Sequence, residues 1–85
     1  MKLAFKKPYV MTVTLDQGEH GLLLIHDNKD LSIFTQGYTL EELTEDFFEA
    51  FTSVWQGYVQ VDESILGKDA IRLKNNLLSI AEEVK

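Results

Sequence analysis

Thr35-Gln36-Gly37-Tyr38-Thr39-Leu40-Glu41-Glu42 is the stretch on which the reading of this chain turns. Gly37 breaks an extended segment, and Thr39 then has the character of a helix N-cap. Its hydroxyl can accept from a free N–H of the first turn, and Glu42, three residues on, completes a capping box. Tyr38 and Leu43 stand at the two positions of a hydrophobic staple. Glu41, Glu42, Glu45 and Asp46 gather at the positive end of the helix dipole, which favours them. Gln36, Gly37, Thr39 and Glu42 therefore read as a structural motif, a turn followed by a cap.

Downstream, Leu40, Leu43, Phe47, Phe48, Phe51, Val54 and Trp55 recur at i, i+3 and i+4, the spacing of an amphipathic helix. Its expected end lies near Gln56, with Gly57 just beyond. Upstream, Tyr9, Met11, Val13 and Leu15 alternate with Val10, Thr12 and Thr14, so residues 8–16 predict a half-buried strand that opens at Pro8. Asp16 to Gly21 supplies a turn, Leu22 to His26 a second strand, Asp27 to Asp30 another turn, and Leu31 to Thr35 a third strand. Residues 1–7 carry a weak strand pattern, and Tyr58 to Val61 could add a short strand. A last helix is expected from Gly67 or Lys68 to the C-terminus, residues 67–85. Its stripe is Leu73, Leu77, Ile80 and Val84, which offers a possible oligomer interface.

The expected fold is thus α+β. A three-stranded antiparallel sheet, with a fourth strand open, carries one packed helix and is followed by a C-terminal helix. Eighty-five residues make one domain with a thin core, its centre at about residues 8–58.

The formal net charge is −6, and cysteine is absent, which excludes thiol chemistry and cysteine-based metal sites. From Asp27 to Glu63 there are nine acids and one base, Lys29. Such a surface repels phosphate and attracts basic partners. Lys68, Arg72 and Lys74 on the last helix are too few, and the chain after Gly57 too short, for a complete DNA-reading unit, which argues against direct nucleic-acid binding. No run reaches the length of a membrane span or a signal peptide, so the expected location is the cytoplasm, without a membrane.

Candidate chemistry is sparse. His26 beside Asp27 and Asp30 is the one arrangement that could serve acid–base or metal chemistry, and it lacks ligand spacing. Gly37 precedes a helix start, but Glu41 and Glu42 there would repel a phosphate. No cofactor is expected, no catalytic residue is assigned, and the expectation is a non-enzyme. Glu41, Glu45, Asp46, Phe48 and Glu49 are the expected partner-binding residues.

The segment from Thr35 to Glu42, continued by Phe47, Phe51 and Trp55 and preceded by a glycine-containing hairpin at Gly18 and Gly21, resembles the HicB-like antitoxin family over residues 8–58. That resemblance implies a partial ribonuclease-H-like β-β-β-α core without the catalytic acids. It also implies that the chain binds and neutralises a small basic ribonuclease toxin. Asp27-Asn28-Lys29-Asp30-Leu31 stands where the family has Pro-x-Leu-Pro-Gly, and no complete DNA-binding domain follows. The alternative is a solitary relative acting as a self-associating structural or binding module. On either reading a homo-oligomer, dimer or higher, is expected. The cap gives the first test: Thr39→Ala should cost about 1 kcal/mol of stability, and an unchanged denaturation midpoint would place the helix start elsewhere.

Overall fold

A computed structural model of the chain describes residues 2–84. It is α+β. Strands β1 (Lys2–Phe5), β2 (Thr14–Gly18), β3 (Gly21–Asn28) and β4 (Ile33–Gly37) precede helix α1 (Leu40–Tyr58). A short 3₁₀ turn (Glu63–Ile65), helix α2 (Lys68–Ile80) and strand β5 (Ala81–Val84) follow. Two antiparallel sheets result, β2-β3-β4 and β1-β5.

The central hairpin turns through Glu19 and His20, with Gly18 opposite Gly21. Gly21 has φ +123°, a conformation that glycine adopts freely. On the α1 side of the sheet, His26 pairs with Thr35 and Asn28 with Ile33. His26, Ile33 and Thr35 are buried there, while Phe34 and Gln36 alternate outward and are exposed.

The capping motif forms. Thr39 is the N-cap, and its Oγ1 accepts from Glu42 N at 3.1 Å. The Glu42 carboxylate reaches one residue further back than in the usual box and accepts from Tyr38 N at 3.0 Å. The strand-to-helix reversal is tight enough that a Cβ on Gly37 would lie 2.7 Å from Leu43 N. The ring of Tyr38 reaches back to the central hairpin, against Gly18 and edge-on to His20. Leu43, Phe47, Phe51 and Trp55 form the buried face of α1. Phe47, Phe51 and Trp55 share one core cluster with Leu31, Ile33, Leu73, Leu77 and Ala81.

The expected third strand, Leu31 to Thr35, is shifted to Ile33–Gly37, and strand occupies Asp16 to Gly18 where a turn is expected; further boundaries differ as well. First, residues 8–13 make no ladder; β2 begins at Thr14. The segment is drawn to the core by side chains instead. Tyr9 stacks between Phe5 and Phe47, with centroids 5.3 and 4.7 Å away. Second, α1 continues through Gly57 to Tyr58, and Val59 N and Gln60 N both close on Trp55 O. No strand forms at Tyr58–Val61: Tyr58 ends the helix, and residues 59–61 are turn and bend.

Third, β1 does form, because the C-terminus supplies its partner. Fourth, the last helix stops at Ile80 rather than running to residue 85. Lys6 N donates to Ile80 O at 2.8 Å and Lys6 Nζ to Leu78 O at 2.7 Å, so a distant lysine satisfies the free carbonyls at the negative end of α2. Ala81 to Val84 then pairs with Lys2 to Phe5. Glu83 holds this strand to α1, accepting from Trp55 Nε1 at 3.2 Å and Gln60 Nε2 at 2.6 Å. Those bonds, Gln60 first, set its carboxyl below the usual range.

Leu73 and Leu77 are therefore spent inside the chain, with Leu77 0% exposed, and Val84 lies on a strand. The proposed oligomer stripe Leu73, Leu77, Ile80 and Val84 is not a continuous helix face. The two tight glycines give the test. Gly37→Ala forces backbone against backbone and should cost about 1–3 kcal/mol, as overpacking does. Gly18→Ala meets only the tip of the Tyr38 ring, which can swing away, so its urea midpoint should fall much less. Equal losses would remove the special role of Gly37.

Candidate functional site

Two of the concave regions beside the sheet hold candidate residues. The larger is a groove of about 1200 Å³ between the β4 edge and the outer side of α1. Its acidic wall is Glu42, Glu45, Asp46 and Glu49, and its floor includes Leu23, Phe48 and Gly37. No lysine or arginine lines it among the described residues. The helix period explains the arrangement. Glu42, Glu45 and Glu49 recur at i, i+3 and i+7, one stripe of carboxylates beside the buried stripe.

Asp46 is more than a solvated charge. It is half-buried, and its Oδ2 accepts from Gln36 N at 3.3 Å. Gln36 pairs with Ile25, whose own position opposite Thr14 commits it to β2. The alternation of antiparallel bonding then turns the Gln36 N–H outward, so the carboxylate of α1 seals an N–H on the free edge of β4. Phe48 is 51% exposed, yet its ring also touches Phe47 and Phe5, with centroids 5.8 and 6.4 Å away. It is an apolar surface fixed from below by the core.

The structure thus brings together Glu45, Asp46, Phe48 and Glu49 of the expected partner-binding set. Glu41 is exposed but lies outside the groove lining. Glu42, assigned to capping alone, also lines the groove. Leu23, Gln36 and Tyr38 were not expected as site residues. Leu23 sits in the unbroken apolar run of β3, which reads as interior, and nothing in that run marks it as reaching a groove.

The second region is a cleft of about 540 Å³ beside residues 5–12, with His26 at its wall. His26 is 3% exposed. Its Nδ1 lies 2.8 Å from Thr12 O, an acceptor, so Nδ1 carries the proton. Nε2 then accepts from the Tyr9 hydroxyl at 2.7 Å. The same oxygen accepts from Asn28 Nδ2 at 2.8 Å, and Asn28 Oδ1 accepts from Leu31 N at 3.2 Å. Every member of this relay is satisfied by another. Asp27 is exposed on the strand face opposite His26. Asp27 and Asp30 line the same cleft as His26, but both ring nitrogens of His26 are taken by Tyr9 and Thr12 rather than by either carboxylate. Among the described residues no group of three or more His, Asp or Glu could hold a metal ion.

Of the basic residues on α2, Lys74 is paired with Glu63 at 3.5 Å, while Lys68 and Arg72 are exposed. No helix of the described residues is long and apolar enough to cross a membrane. Comparison with protein-family models, with curated proteins and with solved structures gives no match.

The His26 relay can be probed at its middle. Tyr9→Phe keeps the ring stack but strands the Asn28 amide and the His26 acceptor nitrogen. It should cost about 1–3 kcal/mol, the desolvation penalty of unpaired buried groups. A midpoint in chemical denaturation equal to wild type would show that the relay adds no stability.

Proposed function

We propose that this chain is a non-catalytic binding domain of the HicB-like antitoxin kind, acting in the cytoplasm, whose groove along α1 receives a small basic ribonuclease toxin. The observation that carries the reading is the groove itself: four carboxylates converge beside an exposed, core-supported phenyl ring, with no base among the described lining residues. A ribonuclease must present lysine or arginine to RNA phosphates. Carboxylates at helical spacing offer those cations alternative partners, and the field of the acidic segment speeds the encounter. Phe48 supplies the apolar anchor that a charged surface needs for a slow off-rate, because rim charges alone contribute little. The capping role of Thr39 and Glu42 orients this face, since it fixes where α1 starts. The engagement of both nitrogens of His26 supports a binding role over acid–base chemistry.

The reading is tested by capture from host cells followed by assay of the captured protein. Wild-type chain should retain a small basic protein that cleaves RNA and is inhibited by stoichiometric addition of the chain. Binding should weaken steeply as salt rises, because exposed charges are screened over about 8–10 Å. Glu45→Lys combined with Glu49→Lys should reduce affinity at least tenfold while circular dichroism is unchanged. Salt-independent binding, or capture of the same protein by the charge-reversed variant, would overturn the groove as the site.

A further inference from the structure

The three-stranded sheet has two edges, and the chain treats them differently. On β4 the outward N–H of Gln36 is taken by Asp46 of the helix packed alongside. On β2 no second strand lies alongside. It pairs with β3 alone, and its residues Thr14 to Gln17 are all exposed. The two-residue turn closes on Gly18 opposite Gly21. Counting back from that hydrogen-bonded pair, Asp16 and Thr14 bond inward to β3, whereas Gln17 and Leu15 direct their backbone groups outward. The Gln17 N–H agrees with this count, for it is capped by the neighbouring Asp16 carboxylate at 2.8 Å. Leu15 has no such cap. Its side chain, 58% exposed, and that of Leu22, 59% exposed, project from the α1 side of the sheet beyond the reach of the helix. An open strand edge beside two bare leucines is what soluble proteins ordinarily block.

We infer that β2 pairs antiparallel with β2 of a second copy, with the two-fold axis at Leu15, to give a continuous six-stranded sheet. The register follows from charge and pattern. Centring on Leu15 places leucine on leucine and Thr14 opposite the second copy's Asp16. Both outward groups of Leu15 then bond across the axis, and each Thr14 hydroxyl faces a carboxylate. Centring on Asp16 would instead oppose two carboxylates directly, which is destabilising. The axis stands perpendicular to the sheet, so both α1 helices lie on one face, and Leu15 and Leu22 of the two copies meet between them. This surface is independent of the acidic groove, which lies at the opposite edge.

Sedimentation of the full chain tests the inference, with circular dichroism to confirm folding. The wild type should have twice the monomer mass at high micromolar concentration, and the dimer should persist as salt rises, because backbone pairing and leucine burial are not screened. Leu15→Lys, which sets like charges against each other on the axis, should halve the observed mass. Leu15→Pro removes an outward N–H that the monomer does not use, a position that edge strands tolerate, and should also give monomer. In hydrogen exchange the Leu15 amide should gain protection with protein concentration. A monomeric wild type would leave the β2 edge to some other chain and would overturn the inference. So would a dimer that survives both substitutions.

Discussion

The backbone nitrogen of Leu43 occupies the space that a side chain on Gly37 would need: a Cβ there would lie 2.7 Å from it. This close approach lets β4 reverse into α1 within two residues, so the helix runs back along the strand that precedes it. The rest of the fold depends on that reversal. Thr39 and Glu42 satisfy the N–H groups it frees. Asp46, one turn further on, arrives level with Gln36 and seals the strand edge. Phe47, Phe51 and Trp55 are laid over the sheet in a single row.

That row sets where the remaining segments go. Phe47 and Phe51 offer ring faces that Phe5 and Tyr9 cover, and Tyr9 brings its hydroxyl to His26. The N-terminal segment therefore crosses the core rather than extending the β2 ladder. Trp55 holds Glu83 through its indole N–H, which brings the C-terminal residues beside the N-terminal ones. Lys6 then both closes α2 and starts the second sheet. Each step uses a side chain to settle a backbone choice, and the polar groups so buried are paired, as burial requires.

The acidic groove and the bare leucines of the hairpin are separated by the same geometry. The acidic stripe of α1 faces outward beside β4, while the exposed leucines of the hairpin lie at the other edge of the sheet. The two surfaces can therefore be occupied at once. A two-fold assembly through β2 would present two acidic grooves on its outer flanks, and a partner bound at both would gain in avidity.

Much of this was legible in the sequence, and the division has a physical basis. The cap at Thr39, the buried face of α1, the three antiparallel strands and the start of α2 at Lys68 are local matters. They rest on periodicity, glycine and the hydrogen-bonding reach of side chains within a turn. The clustering of Glu45, Asp46, Phe48 and Glu49 was legible for the same reason, since one helix carries them all. Ala81-Glu82-Glu83-Val84 favours a helix by composition, and only the arrival of Lys2 to Phe5 makes it a strand. Leu73 and Leu77 read equally well as an interface or a core; Phe51 and Trp55 on another element decide for the core. Tyr9 and Thr12 carry no mark of their shared histidine, Asn28 none of its bond to Tyr9, and Leu23 none of its place in the groove. What the sequence determined by itself was whatever neighbours along the chain can enforce. What tertiary structure decided was the fate of groups whose partners lie dozens of residues away, because a free strand edge or carbonyl takes its conformation from whatever comes to satisfy it.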